Sequence, residues 1–158
     1  MKSLFVALAA VSALAVGGAA HAQSPQQPMI TNFPVTKLTA GMYVITVEVA
    51  RDERAREQGL MYRKSLALNS GMLFDYRIPV EKTCMWMKNT DIPLSVAFMD
   101  EEGVIINIED MQPHTEDNHC GLEGKKVRYA LEMDQGWFAQ KHIGAGDKIG
   151  RADGQSVK

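Results

Sequence analysis

The chain has 158 residues, of which 46% are hydrophobic and 23% are charged, and its formal net charge at pH 7 is −2. This composition is that of a globular protein of about one domain and excludes disordered, collagen-like and coiled-coil chains. With 17 basic against 19 acidic side chains and no strongly basic stretch, the charge gives no support for nucleic acid as a partner.

The first 22 residues have the pattern of an export signal. Lys2 precedes an apolar run from Leu4 to Ala20, and Ala20-His21-Ala22 has the small residues of a cleavage site. The run is short and rich in Ala for a membrane span, which needs about 20 strongly apolar residues. We therefore predict a signal peptide at residues 1–22, a periplasmic or secreted mature protein, and no membrane span after cleavage.

The remaining chain divides into three parts. Residues 23–38 are polar and contain prolines, which predicts a flexible leader. Residues 39–152 form a single β domain, and residues 153–158 form a polar tail. The chain contains no phosphate-binding loop and no G-x-G-x-x-G motif, so we expect no nucleotide cofactor, and no other cofactor is predicted.

The predicted elements are mostly short strands. Alternating or β-branched segments predict strands at 42–49, 71–74, 83–88, 94–99, 104–111, 127–133 and 148–151. Asp52 as N-cap and Gly59 as C-cap bracket a helix of about two turns, and residues 136–142 form at most one short helix. The turn Asp100–Gly103 predicts a hairpin, and the polar loop 113–126 is long enough to be functional or mobile. Short strands with polar turns predict a mainly β fold, an antiparallel sandwich or barrel.

Six blocks of the sequence resemble one known family. They are Gly59–Arg63, Gly71–Phe74, Trp86–Thr90, Ile92–Leu94, Arg128–Glu132 and Ile143–Asp147. In order and spacing they are similar to the family called domain of unknown function 192, over about residues 40–150. The resemblance implies a compact, jelly-roll-like β-sandwich of one domain with one or two short helices, often secreted. It carries no established activity, so it implies no catalytic residue.

The two cysteines, Cys84 and Cys120, are 36 residues apart. In an oxidising compartment they form either one disulfide or two separate thiols, and spacing alone does not decide between these. A redox-active pair is disfavoured because the chain contains no C-x-x-C motif.

The segment from Lys88 to Asp91 is the densest group of polar side chains between two predicted strands. One interpretation is a self-satisfied turn, since Asn89 and Asp91 favour turn conformations. The other is a binding site for a small anionic or polyhydroxyl ligand at the rim of the sandwich. The candidate ligand-binding residues are Arg63, Lys88, Asn89, Thr90 and Glu132.

A metal site is a weaker alternative. Met85 and Met87 alternate around Trp86, and His114 and His119 lie in the long loop, so these four side chains could hold copper or zinc. However, methionines in apolar segments usually fill the core, and the histidine spacing matches no standard zinc motif.

The sequence therefore predicts a non-enzymatic binding module for a small molecule or an envelope protein. The first alternative is a hydrolase-type enzyme that uses Glu109, Asp110 or Glu132 with Lys88, which requires these side chains to converge in one cleft. The second alternative is a periplasmic copper- or zinc-binding protein.

Overall fold

The computed structural model describes residues 28–152. The predicted signal peptide, residues 23–27 of the leader and the predicted tail lie outside this range. Within it the fold is mainly β, as predicted. The strands are β1 Val35–Ala40, β2 Tyr43–Ala50, β3 Ser70–Val80, β4 Cys84–Met85, β5 Leu94–Met99, β6 Ile105–Met111, β7 His119–Cys120, β8 Val127–Asp134 and β9 Ile149–Arg151. The helices are α1 Glu53–Gln58 and α2 Trp137–Gln140.

Seven strands form one sheet in the order β6-β5-β8-β3-β2-β1-β9, and β4 pairs with β7 in a second, small sheet. The large sheet curls until its two edges meet, because Val104 forms an antiparallel bridge with Lys148. The expected antiparallel pairing is seen throughout the large sheet except between β2 and β3, which are parallel. Parallel neighbours need a crossover connection, and α1 with the turns that follow it forms this one.

Both faces of the large sheet are covered by apolar side chains. The inner face of the curl collects residues from every strand of the sheet, namely Leu38, Ile45, Leu73, Ala97, Ile105, Leu131 and Ile149, and α2 adds Trp137 and Phe138. The outer face carries Met72, Phe74, Val96, Phe98 and Ala130, and it is covered by Ala55, Leu60, Met87 and Ile92. Side chains of a strand alternate between faces, so the same strands contribute to both cores and burial of both faces stabilises the fold.

The hairpin and the first helix form as predicted. Strands β5 and β6 pair in antiparallel register from Leu94 opposite Met111, and Gly103 at their turn has φ 81°. The side chain of Asp52 accepts a hydrogen bond from the backbone N–H of Ala55, which caps α1, and Gly59 follows its last turn. These features depend on local backbone chemistry, which is why the sequence predicts them well.

The structure differs from the predicted elements at several places, one of which is β7, a two-residue strand inside the predicted loop 113–126. Strand β1 begins at Val35, inside the predicted leader, because its alternation buries Leu38 and Ala40. The strand predicted at 83–88 has only two residues, since the chain turns after Met87 and the N–H of Thr90 donates to the carbonyl of Met87 at 3.1 Å. The strand predicted at 71–74 extends to Val80.

Strands β3 and β8 approach each other closely beside Gly71. A Cβ atom at this position would lie 2.0 Å from the carbonyl oxygen of Glu132. Only glycine fits there without moving backbone, so this residue fixes the spacing of the two strands around Glu132.

The two cysteines form one disulfide in the structure and are not separate thiols. Cys84 and Cys120 are bonded, with their Cα atoms 4.0 Å apart, and they face each other across β4 and β7. The bond fastens the long loop 113–126 to the segment after β3. No helix within residues 28–152 is long and apolar enough to cross a membrane.

Candidate functional site

A cavity of about 280 Å³ opens on the outer face of the large sheet. We call it the Glu132 cavity. Its lining comprises α1 and the turn Gly59–Met61 on one side, Phe74 and Tyr76 of β3, the segment Cys84–Trp86, then Lys88, Thr90 and, from β8, Glu132.

Glu132 lies at the centre of the apolar outer face. In the registers of β8 it is opposite Met72 of β3 and Val96 of β5, and both neighbours are fully buried. Only 3% of Glu132 is exposed. Strand alternation therefore places a carboxyl group where both neighbouring strands present an apolar side chain.

The carboxyl group of Glu132 has no protein partner, and its oxygens are not fully enclosed, because every fully buried side-chain oxygen and nitrogen of the described residues has a hydrogen-bond partner. It accepts no hydrogen bond and forms no ion pair with any of residues 28–152. Burial raises its pKa to about 8, because an apolar environment disfavours the charged form. At neutral pH the group is therefore mostly a neutral acid, which both donates and accepts hydrogen bonds.

Aromatic and thioether groups form the walls. The hydroxyl of Tyr76 donates to the sulfur of Met85 at 3.5 Å, and burial raises the pKa of Tyr76 to about 12 against the opposing hydrogen bond from Thr83. Trp86 remains 51% exposed at the mouth. These side chains form an apolar wall beside the polar carboxyl group of Glu132.

Two cations and two carboxylates surround the mouth. Arg56 of α1 lies with its guanidinium carbon 5.6 Å from the centre of the Tyr76 ring. The Lys88 ammonium lies 5.8 Å from the centre of the Trp86 ring, and within the described range it has no ion-pair partner. Glu53 and Glu57 are exposed on α1.

Three of the five predicted ligand-binding residues, Lys88, Thr90 and Glu132, line the same cavity. Thr90 is buried, and its hydroxyl makes one long hydrogen bond, to the carbonyl of Lys88 at 3.4 Å. Asn89 has φ 56°, and its carbonyl accepts a hydrogen bond from the N–H of Tyr62 at 2.8 Å. Asn89 therefore stabilises the turn and does not line the cavity. Arg63 lies apart in a separate cleft, where it pairs with Glu48 at 2.5 Å.

The carboxylates proposed for hydrolysis do not all converge. Glu109 and Glu132 both face Val96, so they share the outer face, but they are two strand spacings apart, about 9.5 Å between backbones. Glu109 is not part of the cavity lining and accepts a hydrogen bond from Asn107 at 3.3 Å. Asp110 points to the opposite face and accepts the hydroxyl of Ser95 at 2.5 Å.

The predicted metal ligands are dispersed. Met87 is fully buried in the outer core, and His114 pairs with Asp91 at 3.1 Å. Met85 and His119 face each other across β4 and β7. Among residues 28–152, no group of three or more His, Cys, Asp or Glu side chains is arranged to hold a metal ion.

Most of the cavity lining is not among the predicted ligand-binding residues, and the charged or hydroxyl-bearing side chains in this group are Glu53, Arg56, Glu57 and Tyr76. The three on α1 are spaced at i, i+3 and i+4, so they share one face of the helix. Tyr76 alternates with Phe74 in the part of β3 beyond the predicted strand. Both patterns are present in the sequence, but neither indicates that the two faces meet.

Comparisons with known proteins place the chain in one family. The profile of DUF192, described as "Uncharacterized ACR", matches residues 35–150. No curated protein matches the sequence.

Crystal structures of other proteins share the fold, among them the following two. A Sinorhizobium meliloti 1021 protein, described as a "putative transcription regulator", is 36% identical with a TM-score of 0.67, over 75% of this chain and 92% of that one. A protein of unknown function from Novosphingobium aromaticivorans DSM 12444 is 28% identical with a TM-score of 0.70, over 81% of this chain and 93% of that one. With the family profile spanning nearly the whole β domain, this chain belongs to the DUF192 family.

Proposed function

We propose that this domain is a small-molecule-binding module, exported from the cytoplasm, whose ligand occupies the Glu132 cavity. The observation that carries the proposal is the buried, partnerless carboxyl group of Glu132 at the base of that cavity. The carboxyl oxygens keep accessible surface at the cavity, since no fully buried side-chain oxygen or nitrogen of residues 28–152 lacks a hydrogen-bond partner, and a ligand that hydrogen-bonds to Glu132 would take the place of solvent there.

The cavity chemistry favours binding over catalysis. Its lining contains no histidine and no free thiol, since Cys84 is in the disulfide. Nucleophilic catalysis needs a nucleophile bonded to a general base, and within residues 28–152 the Thr90 hydroxyl is hydrogen-bonded to the backbone carbonyl of Lys88 and to no basic side chain. The carboxylates that share the cavity with Glu132 are Glu53 and Glu57, which are exposed on α1.

One structural observation and one sequence-based expectation are compatible with the exported location. The disulfide between Cys84 and Cys120 is compatible with an oxidising compartment, and it agrees with the signal peptide expected at residues 1–22. The net charge of −2 gives no support for extending the description of the Sinorhizobium protein to nucleic-acid binding by this chain.

A thermal-shift screen of the full chain against a library of small metabolites tests the proposal. The wild type is compared with Glu132→Leu, which replaces the carboxyl by hydrocarbon among Met72 and Val96. The matched control is Glu109→Leu, on the same face of the sheet but outside the cavity.

We expect at least one compound to raise the melting temperature of the wild type and the control by about 2 °C or more. The same compound should leave Glu132→Leu unshifted. A screen without a stabilising compound, or compounds that stabilise Glu132→Leu as much as the wild type, would overturn the proposal.

A further inference from the structure

We infer that the ligand of the Glu132 cavity is a neutral polyhydroxyl compound about the size of one sugar ring. In this arrangement one face of the ring packs against Trp86, and its hydroxyl groups bond to Glu132, Thr90 and Lys88. The inference rests on the proposed function and specifies the chemical class of its ligand.

The charges around the cavity balance. Glu53 and Glu57 oppose Arg56 and Lys88. Of the remaining titratable groups of the lining, Tyr76 is neutral at pH 7 as an ordinary tyrosine is, and Glu132 is mostly neutral because burial raises its pKa to about 8. An incoming anion would meet two carboxylates at the mouth, and an incoming cation would meet two cations. A charged ligand would therefore lose its hydration without a matching net opposite charge.

The hydrogen-bonding groups of the cavity match hydroxyls. Glu132 as a neutral acid offers both a donor and an acceptor, and Thr90 does the same through a hydroxyl with only one long bond. Lys88 adds donors and has no ion pair in residues 28–152. A ligand hydroxyl is also both donor and acceptor, so it can satisfy each of these groups in either direction.

The apolar walls and the volume of the cavity indicate the shape and the size of the ligand. Phe74, Tyr76, Met85 and half-exposed Trp86 present apolar surface beside the polar groups. A sugar ring has the same division, with C–H groups on its face and hydroxyls around its edge. A cavity of about 280 Å³ is at the small end of ligand sites, which suits a single ring.

Isothermal titration of the full chain tests the ligand class. The neutral probes are glucose, galactose, N-acetylglucosamine and inositol, and the charged probes are glucuronate and glucosamine. The test variant is Trp86→Ala, and its matched control is Tyr62→Ala, which removes a similarly exposed aromatic ring from a neighbouring groove.

We expect at least one neutral probe to bind the wild type and Tyr62→Ala equally and Trp86→Ala at least about tenfold more weakly, a difference of about 1.4 kcal/mol. The charged analogues should also bind about tenfold more weakly than the neutral probe. Equal binding to Trp86→Ala would overturn the inference.

Failure of the ligand class is distinguishable from failure of the proposed function. If a charged probe binds more tightly than every neutral one and loses affinity in Glu132→Leu, the cavity binds ligands but the class is wrong. If no neutral probe binds with a dissociation constant below about 10 mM, the class is also wrong. The metabolite screen with Glu132→Leu then decides the proposed function separately.

Discussion

At the scale of single residues, two buried carboxyl groups of the same sheet have opposite environments. Asp75 is also buried, which by itself would raise its pKa, but hydrogen bonds and charge from Arg128 and Arg51 and the N–H of Arg77 lower that pKa overall. Glu132 has burial alone. The carboxylate of Asp75 is therefore fully paired and stabilises the fold. The carboxyl group of Glu132 has no protein partner and lies at a cavity, where a ligand can bond to it.

The first prediction concerns Glu132 and the pH dependence of folding. Since its folded pKa of about 8 lies above the ordinary glutamate value of 4.5, the folded state binds this proton more tightly than the unfolded state. The contribution is full below pH 4.5 and is lost as the pH rises towards 8. The upper limit of the loss is about 5 kcal/mol at 1.36 kcal/mol per pKa unit.

Glu132→Gln should therefore be more stable than the wild type at pH 8 and should lack the decline between pH 5 and pH 8. Denaturant unfolding at a series of pH values measures this difference, with Glu109→Gln as the control that keeps the decline. Parallel pH profiles for the wild type and Glu132→Gln would contradict the raised pKa.

The sequence identifies Glu132 as a candidate but does not predict its environment. Tyr129, Leu131 and Met133 alternate with Arg128, Ala130 and Glu132, which is the pattern of a strand with one buried and one solvated face. In the structure the second face is covered as well, by residues far away in the sequence, including Leu60 and Met87. Burial of this kind depends on tertiary packing, which local periodicity does not record.

At the scale of elements, the walls of the cavity come from pieces that differ in how well the sequence predicts them. Helix α1 has its own cap and C-terminal glycine, so its bounds are predictable from local chemistry. The small sheet of β4 and β7 joins two segments 36 residues apart through a disulfide. Its pairing is non-local, and each strand has only two residues, so periodicity gives no signal for it.

The second prediction concerns this small sheet. Replacing both cysteines, as Cys84→Ala with Cys120→Ala, should lower the free energy of unfolding by about 2–4 kcal/mol, since the bond closes a long loop. It should also weaken ligand binding, because Met85 and Trp86 in the cavity wall follow Cys84 directly. Chemical denaturation and calorimetric titration measure the two effects. A variant with unchanged stability and unchanged affinity would contradict the role of β4 and β7 as a fixed wall.

At the scale of the whole molecule, one curled sheet supports two cores, and the site belongs to the outer one. The sequence predicts the fold class, most strands, the hairpin and the family, because these depend on alternation, turn residues and recognisable blocks. The sequence indicates Lys88, Thr90 and Glu132 as residues that lie together, but it also indicates Arg63, which lies in another cleft. Strand order decides which polar residues share a cavity. No single segment of the sequence predicts that order.

The most direct test of the account is a nuclear magnetic resonance titration of the Glu132 side-chain carboxyl carbon, assigned by comparison with Glu132→Gln. We predict a titration midpoint near 8, and a bound ligand should shift this resonance in a saturable way. A midpoint near the ordinary glutamate value of 4.5, with no response to any compound that stabilises the protein, would contradict the assignment of Glu132 as a neutral carboxylic acid that lines a ligand cavity.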